Sequence, residues 1–273
     1  MTDYVLTFTK DVFHGVTIKS SISFEKDFNN VNPTPEEATK WLEASLEFFK
    51  GQSFNGVWFD VDLKHGYWIT ILADHGFTFH HARDDKCTMT KWLPEDKPNT
   101  LPLYPFTTLG VGGVVINKKG EILLMKEKRG SYLGWKFPGG MADPNESIPA
   151  AVEREVFEET GVKAKFSNVL TFRHISSGGF YPKSGDIYFL CVMRPEDEEK
   201  IDIVPCERET AAALWMTRDA ISSLPVEEIH NFHLLILERL DKFLAAERKG
   251  CYVEKFSAKI GSYKREWDMF LID

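Results

Sequence analysis

One stretch, residues 140–162 (GMADPNESIPAAVEREVFEETGV), constrains the fold of this chain more than any other. Its second half predicts a helix, because Ser147 can cap the start, Pro149 is tolerated in the first turn and Gly161 suits the end. With about 3.6 residues per turn, three glutamates fall within roughly 100° on one side of this helix. They are Glu155, Glu158 and Glu159. The neighbouring face is apolar and predicts packing on a core.

The three carboxylates indicate a site for a divalent cation. At about 5 Å and an effective dielectric constant of about 20, each like-charged pair costs about 3 kcal/mol if it is sheltered from water. Arg154 can pair with Glu158, four residues later, but one arginine does not neutralise three glutamates. Mg²⁺ is commonly held by a few carboxylates and substrate phosphates. A solvated acidic stripe is the alternative. We rank it lower because the side-chain-poor turn 137–140 (FPGG) precedes the helix and lets backbone approach a ligand.

Nine positions of this stretch resemble a complete Nudix box: G, five residues, E, seven residues, then REUXEEXGU, with U aliphatic. They are Gly140, Glu146, Arg154, Glu155, Val156, Glu158, Glu159, Gly161 and Val162. The resemblance implies an enzyme that hydrolyses a nucleoside diphosphate linked to another moiety, with Mg²⁺ or Mn²⁺ as cofactor. It implies that the three helix glutamates bind the metal ion and that Arg154 orients them. By the same resemblance the Gly139 carbonyl is a further ligand, and Gly140, Glu146 and Gly161 support the site.

The general base is left open by the resemblance, since the family takes it either from the box or from a later loop. Residues 209–216 resemble the segment E-x-x-A-x-x-W-M of one Nudix subgroup, which makes Glu209 a catalytic candidate and Glu207 the fallback. A surface acid with no catalytic part is an equal alternative for either residue.

Residues 1–95 predict a small α/β domain. Loose alternation of apolar and polar residues over 4–24 predicts strands. Thr34 as cap and Pro35 in the first turn predict a helix that ends at Gly51. A second helix is expected over 64–74. Further strands are expected at 57–61, 77–80 and 87–93. Residues 96–105, rich in proline, predict a linker.

This first domain resembles the pre-Nudix domain of the subgroup that includes the animal antisense basic fibroblast growth factor protein and plant ADP-ribose/NADH pyrophosphatases. Residues 77–82 (FTFHHA) and 91–93 (KWL) carry the resemblance, which implies an acetyltransferase-like fold. No glycine-rich acetyl-CoA loop accompanies it, so acetyl transfer is not predicted. His80 and His81 are adjacent in a strand and should face opposite sides, which favours packing over metal binding.

Residues 106–248 predict the Nudix domain, and the resemblance implies an α/β/α sandwich with a mixed sheet between the box helix and a helix at 226–247. A hairpin is expected from 108–116 and 121–126. Further strands are expected at 169–174, 187–193 and 211–216, with a helix at 218–222. The aromatic-rich segment 249–273 should dock on the body or on a second subunit, so a homodimer is an expectation.

Candidate substrate-binding residues flank the box. Arg173 and His174 resemble the subgroup's R-x-H position and are expected to contact phosphate or ribose; an arginine that satisfies a strand edge is the alternative. Lys136 is the candidate phosphate ligand from the basic cluster before the box. An aromatic wall is available from Phe137, Phe180 and Tyr181.

The favoured substrates are ADP-ribose and NADH, by resemblance. The alternative function is a ligand-binding regulator on the Nudix fold with little turnover. The intact box favours the enzyme, because a sensor does not need every ligand.

Composition excludes several other classes. The net charge of −8 argues against a nucleic-acid binder that works through broad electrostatic attraction. The four cysteines are widely separated and show no CxxC spacing, which predicts free thiols in a reducing compartment. No apolar run approaches the ~18 residues of a membrane span, and no targeting signal is visible, so we expect a cytoplasmic protein.

Overall fold

The computed structural model describes residues 4–130, 132–176, 184–245, 251–260 and 263–272, of which those after Cys251 are described as backbone. The chain divides into two compact units, residues 1–105 and 106–273. Within the described ranges no helix is both long enough and apolar enough to cross a membrane. All four cysteines are free.

The first unit is built on a five-stranded mixed sheet with the order β1-β2-β3-β5-β4. Its strands are β1 (Phe8–Lys10), β2 (Val16–Lys19), β3 (Gly56–Asp62), β4 (Thr78–Arg83) and β5 (Lys86–Trp92). Helices α1 (Ser20–Ile22), α2 (Pro35–Gly51) and α3 (Trp68–Asp74) complete it. Aliphatic residues and the fully buried aromatic side chains of Phe49, Phe59 and Trp68 form its core. The sheet together with the three helices confirms the α/β class expected for this part of the chain.

Helix α2 begins as its sequence predicts. The Thr34 hydroxyl accepts a hydrogen bond from the Glu37 amide at 3.2 Å, and the Glu37 carboxylate accepts one from the Thr34 amide at 2.8 Å. This capping box satisfies two amides that the first helical turn would otherwise leave unpaired.

Two elements of the first unit differ from the expectation. Residues 20–27 form α1 and a π-helical turn (Ser23–Asp27) instead of continuing a strand. Distant polar partners explain this, since the Ser20 hydroxyl accepts from the Asp62 amide and the Asp27 carboxylate accepts from the Thr7 amide. The helix expected over 64–74 is also interrupted, because a 3₁₀ turn at Leu63–His65 precedes α3.

His80 and His81 do not obey the simple alternation of a strand. The pairing of β4 with β5 shifts register between Phe79 and His81, and the two imidazoles meet with their Nδ1 atoms 2.7 Å apart. The expectation that they face opposite sides was wrong, because a bulge redirects one of two adjacent side chains. His80 also contacts the Pro102 carbonyl at 2.9 Å and His81 stacks on Tyr104, so both have packing contacts.

The second unit contains a six-stranded mixed sheet with the order β13-β12-β9-β10-β6-β8, and β7 pairs separately with β11. Its strands are β6 (Thr107–Val115), β7 (Ile122–Glu127), β8 (Gly139–Met141), β9 (Ala164–Ile175), β10 (Gly185–Pro195), β11 (Thr210–Met216), β12 (Cys251–Ile260) and β13 (Tyr263–Ile272). Its helices are α4 (Ile148–Thr160), α5 (Arg218–Ser222) and α6 (Asn231–Ala245). Strands β6 and β10 are parallel, whereas β9 and β10 are antiparallel.

Two apolar clusters cover the two faces of this sheet. Val111 and Val115 pack with α4, whereas Val114 and Ile116 pack with α6, because alternate residues of β6 point to opposite faces. The mixed sheet between the box helix and the later helix is therefore confirmed, with helices on both sides.

Three segments of the second unit differ from the sequence-based expectation. The turn of the expected hairpin forms, with Ile116 opposite Ile122, but β6 then joins β10 while β7 pairs with β11. Helix α6 starts at Asn231 instead of residue 226, because the Glu228 carbonyl accepts from the Trp135 amide and holds the preceding turn away from a helix. The C-terminal segment forms the antiparallel pair β12–β13, and Cys251 joins it to Val169 of β9. Docking on a second subunit stays a prediction.

Candidate active site

Helix α4 carries the box and has both predicted ends. The Ser147 hydroxyl accepts a hydrogen bond from the Ala150 amide at 3.3 Å, and Pro149 lies in the first turn. At the other end Gly161 adopts φ 73°, and its amide donates to the Phe157 carbonyl at 2.8 Å. A methyl group on Gly161 would lie 2.9 Å from Val204 Cβ. Both the positive φ and this close contact therefore disfavour a side chain at position 161.

Arg154 forms ion pairs with three acidic side chains of the box. It makes a bidentate contact with Glu146, with Nε and Nη2 each donating to one carboxylate oxygen at 2.9 and 2.8 Å. Its Nη1 donates to Glu155 at 2.9 Å and to Glu158 at 3.1 Å, which confirms the predicted pairing of Arg154 with Glu158. The guanidinium lowers the pKa of Glu146 through the hydrogen bond. Arg154 therefore connects three of the four acidic positions of the box.

The fourth acidic residue, Glu159, lies under the glycine turn. It is 7% exposed, and its Oε2 accepts a hydrogen bond from the Gly139 amide at 2.7 Å. Burial raises the pKa of Glu159 to about 7, and burial likewise raises the pKa of Glu155. Two carboxylates that are desolvated in this way favour either a proton or a cation at the site.

The glycine turn allows this close approach. Gly139 has φ 155°, and a methyl group there would lie 2.1 Å from the Val111 carbonyl oxygen. A methyl group on Gly140 would lie 2.6 Å from a Glu155 carboxylate oxygen. Position 139 therefore requires glycine for the turn to contact β6, whereas a side chain at position 140 would displace the Glu155 carboxylate.

The carboxylates suit a hard cation in their chemistry. Their oxygen atoms are the donors that Mg²⁺ and Mn²⁺ prefer, and Glu159 is a buried carboxylate held by a backbone amide. In the part of the chain that the structure describes, no three His, Cys, Asp or Glu side chains converge closely enough to hold a metal ion. Glu155 and Glu158 are both paired with Arg154.

Lys136 lies beside the carboxylates. It forms an ion pair with Glu127 of β7, and its side chain is 17% exposed. Lys136 lowers the pKa of Glu159, although burial of that carboxylate outweighs the effect. Sequence reasoning missed Glu127, because nothing in the strand sequence shows that the end of β7 lies next to α4.

Arg173 and His174 separate on the sheet. Arg173 pairs across the strands with Tyr188, and its Nη2 donates to Asp186 at 2.6 Å. Adjacent strand residues face opposite sides, so the exposed His174 lies on the other face beside Ile187. The two residues that the sequence grouped therefore do not form one site.

Phe137 does not line the surface as expected. Its ring is 1% exposed and packs against His233 at a centroid distance of 5.3 Å, so it belongs to the core under α6. The other wall candidates, Phe180 and Tyr181, lie outside the described residues.

Glu209 lies in the turn before β11. Its carbonyl accepts from the Lys128 amide at 2.8 Å, and the next residue, Thr210, donates its hydroxyl to the Glu159 carbonyl at 2.8 Å. This turn therefore adjoins the C-terminal end of α4. Both Glu209 and the fallback Glu207 are exposed there, and a role as base stays a prediction for each.

His233 of α6 is a further residue that sequence reasoning missed. Burial lowers its pKa from 6.5 to about 4, and the nearby basic residues His230, Lys136 and Arg173 act in the same direction. Its ring lies on Phe137, which precedes the glycine turn. The sequence shows it only as one histidine in an amphipathic helix, where a core position is the ordinary interpretation.

We expect His233 to make the second unit less stable in acid. The unfolded imidazole takes up a proton below about pH 6.5, whereas the folded one resists until about pH 4. Stability is therefore fully present above pH 6.5 and falls by up to about 3 kcal/mol as the pH decreases to 4. Urea unfolding of the natural chain and of His233→Phe at several pH values measures this loss. Equal pH slopes in the two proteins would contradict it.

Comparison with known proteins places this geometry in a family. Residues 106–240 match the family model described as the NUDIX domain, and residues 6–93 match one described as a Nudix hydrolase domain. Nudix hydrolase 10 of Arabidopsis thaliana is 30% identical over 267 residues, which cover 94% of this chain and 88% of the relative.

Two further relatives match over a smaller part of their length. Nudix hydrolase 8 of Arabidopsis thaliana is 35% identical over 194 residues, covering 70% of this chain and 51% of the relative. Nucleoside diphosphate-linked moiety X motif 6 of Homo sapiens is 35% identical over 180 residues, covering 65% and 55% respectively. The chain thus spans about half the length of these two relatives. From the matched domains and the relative aligned over most of its length, the chain belongs to the Nudix hydrolase family.

Proposed function

We propose that this chain hydrolyses the diphosphate bond of a nucleoside diphosphate linked to another moiety and releases a nucleoside monophosphate. The observation that supports it best is the approach of the half-buried Glu155 and the buried Glu159 to the glycine turn. A purely structural acidic stripe would be solvated, whereas these carboxylates are shielded from water. ADP-ribose and NADH are the favoured substrates, by the resemblance of the box and its flanking segments.

Glu155, Glu158, Glu159 and the Gly139 carbonyl are the groups that would hold Mg²⁺ or Mn²⁺. When bound, such an ion neutralises phosphate charge and lowers the pKa of a coordinated water molecule. The chain itself contributes the positioning: Glu146 fixes Arg154 through a bidentate contact, and Arg154 restrains two of the carboxylates. Lys136, held by Glu127, supplies a positive charge for phosphate next to Glu159.

A panel of nucleoside diphosphate derivatives tests the proposal. With Mg²⁺ or Mn²⁺ we expect release of a nucleoside monophosphate from at least one of ADP-ribose, NADH and related diphosphates, detected by chromatography. Excess EDTA should abolish this release and excess metal ion should restore it, because the carboxylates alone cannot neutralise phosphate. If calorimetry shows binding while no member is cleaved with either ion, the chain is a ligand-binding protein on the Nudix fold instead.

A further inference from the structure

The first unit has a cavity on the face of its sheet opposite the apolar core. Its volume is about 470 Å³, which lies within the range of about 300–1,000 Å³ typical of small-molecule sites. Alternation along β3 explains the position. Val57, Phe59 and Val61 belong to the core together with residues of α2 and α3, whereas Gly56 and Trp58 line the cavity. The cavity therefore lies within the first unit and shares no residue with the carboxylate site.

Two tryptophans line this cavity from neighbouring strands. Trp58 of β3 pairs with Thr90 of β5, and Trp92 follows two residues later in β5, so the two tryptophans are diagonal neighbours on one face of the sheet. The Cα atoms of such neighbours lie about 7–8 Å apart. A ring attracts a cation that lies within about 6 Å of its centre. This spacing therefore leaves a place between the two indoles where both rings can attract the same positive charge.

Both indoles are held by neighbours outside the cavity. Trp92 Nε1 donates a hydrogen bond to the Lys97 carbonyl at 3.1 Å, and the Trp58 ring meets the His80 ring edge to face at a centroid distance of 4.8 Å. Because the rings are already fixed, they lose little conformational freedom when a ligand binds.

The turn between β1 and β2 brings a fixed carboxylate to the cavity. Asp11 Oδ1 accepts hydrogen bonds from the amides of Phe13 and Gly15, both at 2.7 Å. A methyl group on Gly15 would collide with Asp11 Oδ2, so this second oxygen lies over a residue of the cavity wall. Within the described ranges Oδ2 has no hydrogen-bond partner. Its negative charge is therefore available to a ligand.

The lining selects a cation with an apolar body. Asp11 is the one charged side chain among the described residues that line the cavity, and it repels anions such as the phosphates of a nucleotide. The Phe13 ring, 80% exposed, adds a third aromatic face at the entrance. Alkyl groups on a nitrogen bury apolar area against such rings, and the rings attract its positive charge. A metal ion would need several oxygen ligands, which one carboxylate does not supply.

We propose that this cavity binds a small alkylammonium cation between Trp58 and Trp92, with Asp11 as the counter-charge. The first unit then has a ligand site of its own. This site does not depend on diphosphate hydrolysis in the second unit, because all the residues that line it belong to the first.

Calorimetry of the full chain with choline and with its uncharged isostere, in which carbon replaces the nitrogen, tests the inference. We expect choline to bind about tenfold more tightly, because the aromatic faces and the carboxylate favour only the cation. Asp11→Asn keeps an oxygen acceptor for the two turn amides and should lower this preference about threefold. Trp58→Leu and Phe13→Leu keep apolar side chains without a ring and should lower it as well. A thermal melt identifies any variant that fails to fold, and the exposed Phe13 tolerates replacement.

Val12→Leu is the matched control. Val12 is 87% exposed in the same turn and does not line the cavity, so the preference for choline should persist. Equal affinities for choline and its isostere in the natural chain, or no heat of binding for either at millimolar concentrations, would overturn the inference. A preference that Asp11→Asn and Phe13→Leu leave unchanged places the cation elsewhere on the chain and overturns it too. So does an equal loss in Val12→Leu and Asp11→Asn, because the shape of the turn and not its charge would then decide binding.

Discussion

Replacing Glu158 with Gln is expected to lower kcat for Mg²⁺-dependent diphosphate hydrolysis by about 100-fold or more. Partners that merely support metal ligands are worth about 10–100-fold, so a direct ligand should be worth at least that much. The Glu158 side chain is 55% exposed, and the ion pair that it loses is with Arg154. Exposed substitutions of this kind change stability by only about 0.5 kcal/mol. Steady-state kinetics over a range of Mg²⁺ concentrations and a thermal melt measure the two effects.

Glu153→Gln is the matched control for this experiment. Glu153 lies on the same helix and forms an ion pair with Lys165, but it is not one of the nine constrained positions of the box. It should keep nearly full activity. Unchanged turnover in Glu158→Gln would remove Glu158 from the proposed metal site, and equal losses in both variants would point to a general effect of helix charge.

Replacing Gly139 with Ala is expected to destabilise the second unit by about 4 kcal/mol. A non-glycine residue at φ 155° is strained, and the new methyl group would lie 2.1 Å from the Val111 carbonyl oxygen. Backbone strain costs about 1–3 kcal/mol and overpacking about as much again. Because the neighbour is backbone, the collision cannot be relieved by a rotamer change. Chemical unfolding followed by circular dichroism measures the shift of the midpoint.

Gly120→Ala separates strain from collision. Gly120 also has a positive φ, 78°, but a methyl group there meets nothing within 4 Å. Its cost should be the strain alone, about 1 kcal/mol. If the two variants lose the same stability, the close contact between the glycine turn and β6 contributes nothing, and the description of that turn must be revised.

Elements with strong local signals were predictable from the sequence. Thr34, Ser147 and Gly161 act as caps through neighbours only a few residues away, so their roles can be read without a structure. Residues 20–27 could not be assigned in this way, because their helical turns depend on partners such as Asp62, more than 30 residues distant. The late start of α6 has the same origin, a backbone contact between Glu228 and Trp135.

In the candidate site too, residues placed by local spacing were predictable and residues placed by long-range packing were not. The box spacing is local to one helix and identified Arg154 and the acidic residues around it. Tyr188 owes its position to β10 lying parallel to β6, Glu127 to the pairing of β7 with β11, and His233 to the packing of α6 on the sheet. No short pattern in the sequence reports these long-range arrangements. Alternation along β9 separates Arg173 from His174, and packing against α6 buries Phe137.

The ion pairs of Arg154 with three glutamates have a consequence for the folding of the second unit. Because Arg154 pairs with Glu146, Glu155 and Glu158, and the Gly139 amide donates to Glu159, each acidic residue of the box has a partner within the chain, and we expect the helix to fold without magnesium. Folding would then not depend on the proposed metal ion, unlike in zinc fingers, where the ion is what makes the domain fold. We expect a chelator to abolish hydrolysis without unfolding the protein.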